Sequence, residues 1–198
     1  MDRPERHDKR AQILDAALEV FSRKGVYATR IADIASEAGI AYGLVYHYFK
    51  NKEEVLNTIF EERWAMVTEL LEQAEKQGTD SADRLRRAAD VFLSAYRHRP
   101  QVVELLLLEF TRMSKFLEPA QIDKIARAFQ VVTRIIERGQ SEGELRGDLA
   151  PGLLTLTFLG GLQLIMQTQV LGTFHPPQEF DSRGAGLLVD AFLNGVKT

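Results

Sequence analysis

The chain has no cysteine among its 198 residues. That excludes disulfides, thiolate metal sites and a thiol nucleophile. Its four histidines, His7, His47, His98 and His175, are scattered without ligand spacing, so neither a metal nor a cofactor is expected. Nucleophile elbows, metalloprotease helices and dinucleotide fingerprints are missing too. The glycines of 139–147 (GQSEGELRG) are no phosphate loop, because no strand precedes them and no Lys-Ser/Thr follows. No strand candidate and no internal repeat occurs. The opening MDRPERHDKR lacks an apolar run, so it is not read as a secretory leader, and a cytoplasmic protein is expected. Neither sign of charge dominates, the net charge being −3.

What is present is helical periodicity, in a composition (45% hydrophobic, 27% charged) that suits a folded chain rather than a disordered one. The organising stretch is 29–52, TRIADIASEAGIAYGLVYHYFKNK. Ile31, Ile34, Ala35 and Ala38 recur at helical spacing, with Thr29 or Arg30 at the start and Asp33 in the first turn. Gly39 breaks this helix at a tight corner and Ile40 pins the turn. A second short helix is predicted over about 41–49, with Leu44, Val45 and Phe49 inward and Tyr42, Gly43, Tyr46, His47 and Tyr48 outward. Asn51 caps the next helix, which starts at Lys52.

A helix face with three tyrosines and a histidine but no acid is a poor solvent face. It suits nucleic acid: hydroxyls and imidazole donate to phosphates, and rings contact thymine methyls. On this reading Tyr42, Gly43 and Leu44 reach base edges, while Arg30, Tyr46, His47, Tyr48 and Lys52 hold phosphates, with Thr29 beside them. Lys52 combines its ammonium with a helix N-terminus. The charge distribution agrees, since residues 1–52 hold nine Lys and Arg against seven Asp and Glu and the remainder is acidic. An ordinary helical hairpin is the competing interpretation of the spacing alone.

The order of residues in this stretch resembles the DNA-binding segment of the TetR family of transcriptional repressors. The resemblance is carried by Thr29, Asp33-Ile34-Ala35, Ala38-Gly39-Ile40, Gly43, Tyr46, Tyr48-Phe49 and the run Asn51 to Leu56. Upstream, Ile13 to Ala17, Phe21 and Gly25 fit the family's first helix, so that roughly residues 9–60 are covered. The remaining two-thirds matches in length and helical character.

The rest of the chain reads as follows. Residues 1–7, with Arg3 and Arg6, are expected to be a frayed arm, either touching DNA or a plain tail. A helix covers 9–24. Another runs from Lys52 to about Lys76, and Gln77 to Ser81 ends it and caps the next. Further helices fall at about 82–98, 101–113, 120–138, 153–171 and 178–196, about nine in all. The expected fold is all-α: a three-helix DNA-binding head (1–52) joined through a long fourth helix to a ligand-binding and dimerisation domain (53–198). Residues 153–171 are apolar enough to suggest a membrane span, but Thr155, Thr157, Gln163, Gln167, Thr168 and Gln169 argue against one.

Polar residues set in the apolar helices, Tyr96, Arg112, Thr133, Thr157 and Gln163, outline an expected pocket for an apolar or amphipathic effector. Arg112 either anchors an acidic head or pairs with Glu109. Glu104, Glu109 and Glu137 are read as solvated or ion-paired rather than catalytic. The resemblance implies a homodimer built from 151–171 and 178–196, with Leu159, Leu162, Ile165, Met166, Leu188 and Phe192 at its interface. It also implies a palindromic double-stranded operator and, from the run of the body, an effector of fatty-acyl or aromatic character. The expected function is a ligand-released repressor. The alternatives are a helical adaptor that does not bind DNA and, behind it, a small all-α enzyme.

Overall fold

The computed structural model describes residues 3–105, 119–171 and 179–196, with side chains placed over 9–105, 122–170 and 183–196. Among the described residues every regular element is a helix: α1 (Arg3–Lys24), α2 (Ile31–Glu37), α3 (Tyr42–Tyr48), α4 (Lys52–Gln77), α5 (Ser81–His98), α6 (described over 100–105), α7 (Pro119–Ser141), α8 (Pro151–Leu171) and α9 (Glu179–Val196). The arm expected over residues 1–7 is helix from Arg3 onward, with Pro4 in its first turn, where a missing N–H costs nothing.

The chain forms two compact units. The first comprises residues 1–63 and 101–114, the second residues 64–100 and 115–198. The division therefore falls inside α4 rather than at residue 52, so one continuous helix belongs to both units.

The first unit is built on local chemistry. Gly39 closes α2 at φ +62°, where only glycine is unstrained, and Ile40 N–H reaches back to Ala35 O at 3.0 Å. The chain thereby turns sharply into α3. Asn51 caps α4 by accepting from Glu54 N–H (2.8 Å), and Lys50 N–H donates to the Glu54 carboxylate (2.6 Å). Ile13, Ala17, Phe21, Ile34, Val45, Phe49, Val55 and Ile59 make the core, with Ile40 and Tyr48 packed against it. Leu105 and Val102 join this same core. The segment 101–105, expected in the body, thus belongs to the head.

In the second unit α5 packs on α7, α8 and α9, and α7 on α8. Asp80 caps α5 by accepting from Asp83 N–H at 2.8 Å. Arg134 of α7 grips Glu75 of α4 with two bonds of 3.1 and 2.8 Å, and Arg86 of α5 pairs with Asp190 of α9 at 2.8 Å. The stretch 139–147 is held by side-chain bonds: Gln140 Nε2 donates to Arg146 O and Leu149 O, both at 2.8 Å. Gly139 has to be bare there, since a Cβ would stand 2.8 Å from Leu145 Cδ1.

Packing in this unit is uneven. Leu71, Leu85, Ala88, Ala89, Ile135, Ile136 and Leu145 are fully enclosed. Trp64 and Val67 of α4, Phe92 and Tyr96 of α5, Phe129 of α7 and Ile165 of α8 are only half-buried. The helix α8 is long and apolar enough to cross a membrane by length and composition. Its face of Leu154, Thr155, Phe158, Leu162 and Met166 is nevertheless buried as in a core helix, and Thr155 Oγ1 meets Thr133 Oγ1 at 2.9 Å.

Candidate nucleic-acid interface

Helix α3 follows the corner at Gly39 and is held from beneath by Val45 and by Phe49 at its C-cap, both buried. Two anchors four residues apart bury one stripe of a seven-residue helix and leave the rest outside. Outside are Tyr42 (53% exposed), Gly43, Tyr46 (47% exposed) and His47. A Cβ at Gly43 would touch nothing, so backbone lies open at the surface there. Leu44 is half-buried. No acidic residue lies in α3.

Tyr42 and Tyr46 form a pair. Their rings stand edge to face at 5.2 Å and their hydroxyls are 3.1 Å apart. The hydrogen bond to Tyr42 pushes the Tyr46 phenol above its usual range. One hydroxyl donates to the other, which leaves the pair a single O–H for an outside acceptor.

Three residues expected at the interface lie elsewhere. Thr29 is buried and gives its hydroxyl to Gly25 O at 2.8 Å. Tyr48 is half-buried with its hydroxyl enclosed and its ring against the core, edge to face with His47 at 5.3 Å. Lys52 has spent its ammonium on the carbonyls of Val26 (2.9 Å), Tyr27 (3.0 Å) and Thr29 (3.0 Å). The partners of Lys52 stand 23 to 26 residues earlier and only folding brings them near, whereas Gly25 is local to Thr29.

Most cations of this unit are also occupied. Arg23 pairs with Glu37 (2.7 Å) and Lys24 with Asp33 (2.8 Å). The bond from Lys24, then that from Arg30 N–H, holds the Asp33 carboxyl below its usual range, so the start of α2 stays anionic and tied to α1. Arg10 pairs with Glu62 and lies 5.8 Å from the Phe49 ring centre. The exposed Lys50 carries a side chain with no partner among the described residues, while the exposed Arg30 acts by charge on Asp33. Sequence reading missed Lys50. It also missed Tyr27, which is almost wholly exposed in the loop before α2, with Lys52 Nζ 5.7 Å from its ring centre.

The described residues expected to make an effector pocket lie on α5, α7 and α8. Tyr96 is half-buried on α5, and Thr133 is turned to Phe129 O and Thr155. Thr157 and Gln163 lie on the exposed side of α8. Arg112 lies outside the described residues.

Leu159, Leu162 and Met166 are buried within the chain, and Ile165, Leu188 and Phe192 are half-buried, with Phe192 against Phe158 at 5.4 Å. The open stripe of α8 is instead Leu153, Leu156, Thr157, Gly160 and Leu164, at spacings of three, four and seven residues. Leu187 and Ala191 are exposed on α9.

Comparison with known proteins matches residues 13–59 to the family model for bacterial regulatory proteins of the tetR family. The fatty acid metabolism regulator protein of Bacillus subtilis (strain 168) is 28% identical over 170 residues, covering 84% of this chain and 86% of that one. A solved structure of the transcriptional regulator FadR from Bacillus subtilis, in complex with stearoyl-CoA, superposes with a TM-score of 0.76 at 25% identity, over 93% of this chain and 98% of the other. The ketosteroid transcriptional regulator of Mycobacterium tuberculosis shares the fold at a TM-score of 0.74 and 20% identity, over 96% and 95% of the two chains. Residues 13–59, which hold the helix-turn-helix, thus match the tetR family model, and the chain is similar over most of its length to bacterial transcriptional regulators.

Proposed function

We propose that this chain is a cytoplasmic, homodimeric repressor that holds a palindromic operator and is released by an amphipathic effector of the fatty-acyl thioester class. One observation carries the DNA-binding part: an acid-free α3 that exposes Tyr42, Gly43, Tyr46 and His47 over a well-anchored core. In this reading Tyr42, Gly43 and the edge of Leu44 meet bases, while Arg30, Tyr46 and His47 meet phosphates. The chain binds and releases, and no catalytic step is assigned to it.

Dimerisation is supported by the open apolar stripe of α8, which would place Leu153, Leu156, Gly160 and Leu164 on the two-fold together with Leu187 of α9. Of the residues expected at the interface from the sequence, Leu159, Leu162 and Met166 are buried within the chain and Ile165, Leu188 and Phe192 are half-buried. A two-fold is what a protein reading two equivalent half-sites requires. The effector class is supported by the similarity to a fatty acid metabolism regulator and to a structure holding stearoyl-CoA. The half-buried Trp64, Val67, Phe92, Tyr96, Phe129 and Ile165 supply apolar surface that an acyl chain would finish covering. A bound acyl chain would act on the head through the two stretches of backbone that belong to both units' paths, α4 and the return into α6.

The DNA-binding reading is tested by selecting a site from random duplexes and comparing variants on it. Tyr42→Ala is expected to weaken the selected site by about 1–3 kcal/mol while leaving random DNA nearly unchanged. Equal loss on both would remove Tyr42 from the base-reading group, and failure to enrich any site would remove the reading.

A further inference from the structure

We propose that Lys52 is a positioning residue that clamps the loop before α2, and that the phosphate-holding cation of the turn between α3 and α4 is Lys50. The proposal rests on the DNA-binding reading for Lys50 and on geometry alone for Lys52.

An ammonium has three hydrogens. Those of Lys52 point at three carbonyls from one loop, of Val26, Tyr27 and Thr29, at 2.9, 3.0 and 3.0 Å. No donor remains for a phosphate, and taking one back would strip a carbonyl of its partner. The same loop is fixed from its other side by Thr29, whose hydroxyl reaches Gly25 O and whose N–H reaches Val26 O (3.3 Å). Residues 25–29 lead directly into α2, whose start is tied by Asp33 to Arg30 N–H and Lys24. Lys52 thereby fixes where α2 begins, and α3 follows from α2 through the rigid corner at Gly39.

Lys50 is the complement. Its backbone is pinned, because its N–H donates to Glu54 at the capped start of α4. Its side chain is exposed and has no partner among the described residues. It stands two residues beyond α3, as the exposed Arg30 stands one before α2. A compact charge on a flexible stem at a fixed backbone point can follow a phosphate without giving anything up.

The test uses the full-length protein, a selected operator and a random duplex. Lys50→Gln is expected to flatten the slope of log affinity against log salt by about 0.9 and to weaken both duplexes by one common factor, roughly tenfold at low salt. Lys52→Gln and Lys52→Arg are expected to weaken the operator with the slope kept within about 0.3 of wild type. In 15N-lysine spectra of the DNA-free protein, the Lys52 ammonium should give a slowly exchanging signal that Lys50 lacks. Addition of operator should leave that signal unchanged and bring up the one from Lys50. A slope flattened by about 0.9 in Lys52→Gln, or a Lys52 ammonium that exchanges freely without DNA, overturns the clamp. An unchanged slope in Lys50→Gln overturns the role given to Lys50. The ammonium spectrum needs no DNA, so the clamp is decided even where no operator is found, and Lys52→Arg decides the slope where Lys52→Gln fails to fold.

Discussion

Replacing Leu156 and Leu164 together by glutamate is expected to yield a folded monomer that no longer holds a palindromic operator. Both leucines are more than half exposed in the single chain, at 60% and 61%, and α8 is anchored from its other side by Leu154, Phe158 and Leu162. Polar replacements at such exposed points change the stability of a single chain by only about 0.5 kcal/mol. Across the proposed two-fold they act differently. Four carboxylates would enter one apolar interface, each costing several kcal/mol unless it finds a partner. The dissociation constant of the dimer should then rise by roughly 10⁴-fold or more. Sedimentation would show the monomer, circular dichroism an unchanged helix content, and operator binding would drop to that of one isolated head. A wild-type chain that is monomeric at micromolar concentration, or a double variant that stays dimeric, would remove α8 from the interface.

Leu105→Ala is expected to loosen the head although residue 105 lies more than 40 positions beyond the helix-turn-helix. Leu105 is buried in one cluster with Ile13, Phe21, Ile34, Val45 and Phe49. Truncating a buried leucine to alanine removes apolar contact and leaves a cavity, at a cost of about 2–5 kcal/mol. The loss should show as faster hydrogen exchange across α1 and α3, with α5 and α9 little affected, since they belong to the other unit. The same variant should weaken operator and random DNA together, because what it removes is the ordered head and not a contact. A change in stability below about 0.5 kcal/mol would mean that 101–105 does not seal the head.

These two sites also mark where sequence reading ended. The corner at Gly39, the cap at Asn51 and the inward Val45 and Phe49 were legible because their causes lie within a few residues: a positive φ, a local hydrogen bond, a helical period. The phase of α8 was not legible. Leucines occur all round that helix, so the pattern offered two faces, and only packing by α5 and α7 shows that Leu159, Leu162 and Met166 turn inward. Residues 105–108 are four leucines in a row and give no phase either. The carbonyl partners of Lys52 were not legible for a related reason. Its partners stand 23 to 26 residues earlier, and a lysine at a helix start reads as a phosphate ligand until those carbonyls are brought to it. Thr29 and Tyr48 were similarly drawn away by the core.

On the proposed function, operator binding by α3 and effector binding in the second unit must oppose each other. A ligand with equal affinity for the free and operator-bound forms releases nothing, however tightly it binds. The most direct measurement is a calorimetric titration of stearoyl-CoA into the protein, first alone and then saturated with its selected operator. The expected result is a weakening of thioester binding by operator, typically about 5–150-fold, matched within error by the weakening of operator binding at saturating thioester. Thioester binding that is identical with and without operator would contradict the account, and so would a selected operator held equally well at every thioester concentration.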